Sequence, residues 1–288
     1  MERVMPILMD STLPGSLAFI TGGGRGVGRL FALRLASEGV TVVLIARSRT
    51  ELKSAAREIS ECGGRVFTFV VDVTNRRAVR RVVERVERTI GPIDVLINNA
   101  GIVGPVGNTW ECRWKHWWST IQINVGGTAV VSEAVIPKMV GRGHGRIVNM
   151  VSHAGAYRWP TVSAYSVSKA ALIRFSENLA LECSRFGLQV FAYHPGLLPL
   201  GMTNAAAALH GSSVAAEAKI GAWCRAQMAS DKAASPERAA TQLVKLLSGS
   251  YDELTGRYIT ESDDLDALVI RARDVDAYND YLMLRPQV

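Results

Sequence analysis

The sequence is poor in cysteine: Cys62, Cys112, Cys183 and Cys224 are the only four in 288 residues. None forms a CxxC pair and none has a histidine at ligand spacing, which excludes a disulfide framework and a structural metal site. They read as plain thiols of a reducing compartment. Long apolar runs are also missing. The most apolar stretch, 40–46 (VTVVLIA), falls far short of the ~20 residues that span a bilayer. Residues 1–14 carry Glu2, Arg3, Pro6 and Asp10 where a leader would need an apolar core. The expectation is a cytoplasmic protein without a membrane partner. No repeat or linker divides the chain. With 20% charged and 48% hydrophobic residues, it is neither disordered nor fibrous.

What is present begins with charge. The net charge is +7, and residues 1–150 hold 20 Lys and Arg against 12 Asp and Glu, while residues 151–288 hold 13 against 14. Much of the excess lies in 75–90. There Arg77, Arg81, Arg85 and Arg88 recur at helical spacing, with Val79, Val82, Val83 and Val86 on the opposite side. This is the pattern of a solvated helix face. No aromatic residue interleaves with these arginines, so no nucleic-acid partner is expected.

Apolar, β-rich runs alternate with helical patterns along the chain. Strands are predicted near 16–21, 40–46, 66–72, 93–98, 145–151, 188–194 and 256–260. They are continuous Val, Ile, Leu and Phe stretches, as expected of parallel strands buried on both faces. Helices are predicted near 26–38, 50–62, 75–90, 114–140, 163–186 and 236–248. The pattern is that of an α/β protein, a Rossmann-like, doubly wound, seven-stranded parallel sheet flanked by helices in a single domain. The domain is expected over 15–260, after an N-terminal tail, 1–14. Within it, 197–235 is too long for a plain connection and reads as a substrate lid. Residues 261–288 form an acidic C-terminal extension with a short helical pattern, expected to bind the body or a partner subunit.

After the first strand comes TGGGRGVG, Thr21 to Gly28, leading into a helix. A glycine-rich strand-to-helix turn lets backbone approach a pyrophosphate and aims a helix N-terminus at its charge. Thr21, Gly22, Gly24, Arg25, Gly26, Val27 and Gly28 are therefore candidate dinucleotide contacts. An acidic residue at the end of the second strand would favour NAD. Ala46, Arg47 and Ser48 stand there instead, and with Arg25 they favour the 2′-phosphate of NADP(H) over NAD(H).

Tyr165 and Lys169 (YSVSK) share one helical face, Ser152 lies 13 residues before the tyrosine and Asn124 lies 41 before it. The order TGGGRGVG, Asp72-Val73, NNAG (Asn98 to Gly101), Asn124, Ser152, YSVSK and Pro195-Gly196 resembles the short-chain dehydrogenase/reductase (SDR) family, compact branch, over residues 16 to about 260.

That resemblance implies an NADP-dependent oxidoreductase that interconverts a ketone or aldehyde and an alcohol by hydride transfer. Tyr165 would be the general acid/base, its pKa depressed by about 3 pH units, on the order of 4 kcal/mol, by Lys169 and the oxidised nicotinamide. Lys169 would also bind the nicotinamide ribose. Ser152 would orient the substrate oxygen, and Asn124 would hold a proton-relay water. Asp72 and Val73 would meet the adenine, Asn98 and especially Asn99, Ala100 and Gly101 the adenosine side. Pro195, Gly196, Leu197 and Leu198 would clasp the carboxamide. The family's threonine after Pro-Gly is delayed here to Thr203, so no cofactor role is carried over to it. Ser152, Tyr157, Trp159, His194 and Leu197 would line the pocket of a hydrophobic or ring-bearing small molecule. Trp110, Trp114, Trp117 and Trp118 are expected in the core or at a subunit interface of a homodimer or homotetramer. Alternatives are an NAD-dependent secondary-alcohol dehydrogenase, a non-redox enzyme on the same scaffold, and an NADP(H)-sensing binding protein.

Overall fold

The computed structural model describes residue 13, residues 15–230 and residues 233–273. Seven strands form one parallel sheet: β1 (Leu17–Thr21), β2 (Thr41–Ala46), β3 (Val66–Val70), β4 (Val95–Asn98), β5 (Gly145–Met150), β6 (Leu188–His194) and β7 (Tyr258–Thr260), in the order β3-β2-β1-β4-β5-β6-β7. Because side chains alternate along a strand, each apolar run feeds two cores. From β1, Ala18 and Ile20 enter one core and Leu17 and Phe19 the other; from β2, Val42 and Leu44 oppose Val43 and Ile45.

The first core is covered by α1 (Gly26–Ser37), α2 (Arg49–Glu61) and α10 (Pro236–Leu247), which bury Phe31, Leu35, Leu52, Ile59, Leu243 and Leu247. The second is covered by α3 (Arg76–Thr89), α5 (Gly127–Arg142) and α7 (Ser163–Cys183), through Val79, Val83, Val86, Val135, Met139 and Leu179. The valines of α3 thus take the core side opposite the arginine face, each contributing roughly 1.5–3 kcal/mol of burial. On that outer face Arg76 and Arg80 both pair with Glu133 of α5.

Three segments differ from the sequence reading. The single helix predicted over 114–140 is α4 (Trp114–Ile121), a π-helical turn (Gln122–Gly126), then α5. Such turns open the helical ladder and are frequent at functional sites; here the turn carries Asn124. The segment 197–235, expected as a lid, contains two helices, α8 (Gly201–Ala207) and α9 (Ala215–Met228). A short α6 (His153–Ala156), which no periodicity announced, begins directly after Ser152.

At the termini, Leu13 of the expected tail is 2% exposed and belongs to the first core. The rest of that tail lies outside the described residues, as do residues 274–288. The described part of the extension forms α11 (Leu265–Ala272), whose Leu265 and Leu268 are buried in the same core. Tyr251 donates to Asp266 at 3.0 Å, tying α11 to the body. Among the described residues no helix is long and apolar enough to cross a membrane.

Candidate active site

The chain order of the sheet reverses between β1 and β4, and the carboxyl ends of the strands open there into a cleft of about 870 Å³. A crevice at this switch point is where doubly wound sheets hold ligands. Its first wall is the glycine turn. Arg25, the residue before α1, gives no side-chain cap, so the first N–H groups of the helix are left for a ligand. Gly28 must be glycine: a Cβ there would lie 2.5 Å from the Gly22 carbonyl oxygen. The residues present fit the pyrophosphate of a dinucleotide.

Gly22, Gly24, Arg25, Gly26 and Val27 line the cleft with Ala46, Arg47 and Ser48. Ser48 also caps α2, accepting from the Glu51 N–H at 3.2 Å. Glu51, unmarked by the sequence, lies in the same wall with one carboxylate oxygen 3.3 Å from Arg25. Asp72 and Val73 follow. Although burial works upward on Asp72, hydrogen bonds from Thr74 and the charge of Arg47 hold its carboxyl below the usual range.

Thr21 and Gly28 support the cleft from behind. Thr21 Oγ1 accepts the N–H groups of Asn99 and Ala100, both at 2.9 Å, and the Asn99 amide donates to the Thr21 and Gly22 carbonyls. Asn99, Ala100 and Gly101 are lining residues. Asn98 is not among them: at the end of the central strand β4 its amide is buried, donating to Ser132 and Asn149.

The second wall carries Ser152, Tyr165 and Lys169. Tyr165 and Ser152 line the cleft together, and Ser152 Oγ accepts from the Ala154 N–H at 3.2 Å. Lys169, 5% exposed, sits one turn along α7 with its Nζ 5.6 Å from the Tyr165 ring centroid. It does not turn to the phenol; it donates to the Met150 carbonyl at 2.6 Å. The expected depression of Tyr165 therefore does not arise from these residues. Burial raises the phenol, opposed only by Ser152, and burial lowers the Lys169 amine to about 8.

Asn124 is fully buried and its side chain is committed to protein. Its Oδ1 accepts the Ile102 N–H at 2.8 Å, and its Nδ2 donates to the Ile102 carbonyl and to Ser168 Oγ, both at 2.9 Å. Ser168 in turn donates to the Tyr165 carbonyl at 2.7 Å. The Asn124 backbone carbonyl accepts from the Thr128 hydroxyl at 2.8 Å.

The third wall comes from the segment 195–227. Pro195, Gly196, Leu197, Leu198 and Thr203 line the cleft, and α8 begins so near the glycine turn that a Cβ at Gly201 would lie 3.0 Å from the Gly26 Cα. Trp159, beyond α6, meets Trp223 of α9 edge-on at 4.7 Å, bridging two walls, with Tyr157 alongside. Trp223 is the only Trp, Tyr or Phe in 197–235, a signal present in the sequence that periodicity and motif spacing do not pick out.

His194 is 7% exposed and lines the cleft with His153, their ring centroids 4.2 Å apart. Burial, then the neighbouring His153, pushes His194 down to about 3. Glu261 reaches the cleft from beyond β7, paired with Arg238 at 3.1 Å; only the sheet order brings it there.

The tryptophans depart from a core reading. Trp110, Trp114 and Trp118 are exposed, and Trp114 stacks on Trp117 and Trp118 at 5.3 and 5.8 Å. Trp117, half-buried, donates to Ser163 Oγ at 3.0 Å and anchors α4 to the start of α7.

The family model for short chain dehydrogenases matches residues 16–209. A short chain dehydrogenase of Pseudocercospora fijiensis is 36% identical over 195 residues, 67% of this chain and 63% of that protein. The alignment thus spans less than two thirds of that relative. Gluconate 5-dehydrogenase of Gluconobacter oxydans is 36% identical over 195 residues, 67% of this chain and 75% of its own. Among solved structures, NAD+-bound xylitol dehydrogenase superposes with a TM-score of 0.78 at 29% identity, covering 86% of this chain and 98% of that one. A single-substitution variant of actinorhodin polyketide ketoreductase with NADPH gives 0.78 at 28%, covering 87% and 97%. Fold, motif order and these matches agree: the chain belongs to the short chain dehydrogenase family of oxidoreductases.

Proposed function

We propose that the protein is an NADP-dependent reductase interconverting a ketone or aldehyde with its alcohol, Tyr165 acting as general acid and base. The observation that carries this reading is that Tyr165, Ser152 and Lys169 line the same cleft as the glycine turn, with Lys169 Nζ 5.6 Å from the Tyr165 ring centroid. Because burial holds its pKa above the ordinary phenol value, Tyr165 keeps its proton at neutral pH. That is the form able to protonate a carbonyl oxygen as charge builds on it. Ser152 would hold the same oxygen and orient it.

Lys169, tied to Met150, would hold the nicotinamide ribose through its remaining N–H groups, its positive charge stabilising the phenolate left after proton transfer. A relay water held at the Asn124 backbone would link Lys169 to solvent and so return a proton to Tyr165, while the Asn124 side chain holds the Ile102 segment and, through Ser168, the start of α7. When bound, the nicotinamide supplies the hydride for reduction or accepts it for oxidation, and its oxidised form carries a positive charge that favours the phenolate.

Arg47 and Arg25 support NADP over NAD, with Arg47 the stronger contributor because Glu51 engages Arg25. Asp72 and Val73 would border the adenine, and the backbone at Leu197 and Leu198 the carboxamide. Tyr157, Trp159, Leu197 and Trp223 support a hydrophobic carbonyl substrate beneath a lid formed by 197–235. The exposed indoles of α4 support a homodimer or homotetramer; light scattering that gives a monomer at micromolar concentration overturns that part.

The test is NADPH oxidation against a panel of hydrophobic ketones. Turnover supports the reading. Product formed without change in cofactor redox state points to a non-redox enzyme, and tight NADP(H) binding without turnover points to a sensor.

A further inference from the structure

Arg158 has no part in the proton chemistry above, yet it lines the cleft six residues after Ser152. Three consecutive residues, Tyr157, Arg158 and Trp159, face the cleft there, and the segment that carries them is pinned on both sides. The Tyr157 N–H donates to the His153 carbonyl at 2.7 Å, and the Trp159 ring meets Trp223 edge-on. Beyond them the Thr161 carbonyl accepts the Gly107 N–H at 2.8 Å. Thr161 has a φ of 67°, and it is the only non-glycine residue with a positive value among the described residues. A β-branched residue rarely adopts that conformation, which persists only where surrounding contacts over-determine it. The segment is thus held in place as a built part of the wall.

Arg158 is exposed and makes no ion pair among the described residues. The other cations of the cleft are placed differently. Arg25 and Arg47 stand at the glycine turn and the end of β2, and Lys169 is tied to the Met150 carbonyl. The carboxylate of Glu261 is paired with Arg238. One uncommitted guanidinium therefore stands among the aromatic residues of the cleft.

A guanidinium keeps its charge at every working pH and can only donate hydrogen bonds. It therefore favours an anion over a neutral group, and best a carboxylate or phosphate, whose paired oxygens match its fork. We propose that Arg158 is a substrate-recognition residue, so that the preferred substrate is a carbonyl compound carrying a carboxylate or phosphate. The carbonyl is held at Ser152, the anion at Arg158, and the apolar span between them lies against Tyr157, Trp159 and Trp223. In the oxidative direction the substrate is the matching alcohol with the same anionic group. This rests on the carbonyl-reductase reading and names its substrate class.

Benzoylpropionate and its longer homologues, each beside its primary amide, are ketone probes matched in size and differing in one charge. Affinity is read by calorimetry on the NADP+-loaded protein, so that nucleotide covers Arg25 and Arg47, and kcat/KM by NADPH oxidation. At the best chain length the acid is expected to exceed its amide about 10-fold or more in each measurement. Arg158→Gln brings that ratio to within about twofold of one, and the charge reversal Arg158→Glu takes it below one. A purely structural defect would lower acid and amide together and leave the ratio intact. A phosphonate of the same length distinguishes the two anions: binding tighter than the carboxylate assigns a phosphorylated substrate, and weaker binding assigns an oxo acid. A wild-type ratio near one at every chain length, or a ratio unchanged in both variants, overturns the assignment. Selective binding of the acid that is lost in Arg158→Gln, without turnover of any probe, would support the anion site and overturn the reductase reading alone.

Discussion

Lys169 Nζ donates to the carbonyl of Met150 at 2.6 Å, joining α7 to the end of β5 two residues before Ser152. One buried amine thereby fixes the distance between the helix that carries Tyr165 and the strand end that carries Ser152. Its pKa is lowered by burial to about 8, so it is protonated below that pH and neutral above it. The kcat/KM for ketone reduction should hold below about pH 8 and decline above it. A profile flat to pH 10 would separate Lys169 from the chemistry.

Arg47 is exposed at the end of β2 and its charge reaches Asp72, whereas Arg25 is 75% exposed and engaged by Glu51. Arg47→Asp is expected to weaken NADPH binding about 100-fold or more and NADH binding little, because a charge-assisted phosphate contact becomes a repulsion. Titration of each nucleotide by nicotinamide fluorescence measures it. Equal losses for both nucleotides would remove Arg47 from the discrimination.

Asn124→Ala takes from the Ile102 N–H and C=O their side-chain partner and from the Ser168 oxygen the amide that donates to it. A loss of about 2–4 kcal/mol in urea unfolding is expected, accompanied by lower turnover. Unchanged stability would show that the π-helical turn is not held by this side chain.

His194 is held neutral, its pKa lowered to about 3 by burial and by His153. Folded-state depression of a histidine means that the unfolded chain takes up the proton first. Stability present above the ordinary value of about 6.5 is therefore lost progressively as pH falls from there toward 3. Between pH 7 and 4.5, His194→Phe should lose about 2.5 kcal/mol less unfolding free energy than the wild type. Parallel losses in the two proteins would contradict it.

The fold was legible because both periodicities were strong. Continuous Val and Ile runs marked the strands, and the arginine and valine faces of 75–90 gave α3 its orientation. The glycine turn was equally plain, since Gly28 answers a close approach that no other residue allows. What stayed hidden depended on side chains meeting across sequence. Glu51 reaches Arg25 because α2 lies beside the turn, and Glu261 arrives only through the sheet order. The direction of the Tyr165 shift was also beyond spacing. A Tyr–Lys pair on one helical face suggests a charge beside a phenol, but the amine turns to Met150, and burial decides the sign. The tryptophans of 110–118 were apolar enough for a core, yet three of the four face outward.

The most direct test of Tyr165 as the proton donor is a single turnover of NADPH-loaded protein with a reducible ketone, wild type against Tyr165→Phe, with NADPH affinity measured in parallel. Removing one positioned acid should slow NADPH oxidation by about 10²–10⁴-fold while affinity stays within a few-fold. Oxidation at the wild-type rate in Tyr165→Phe would contradict the assignment.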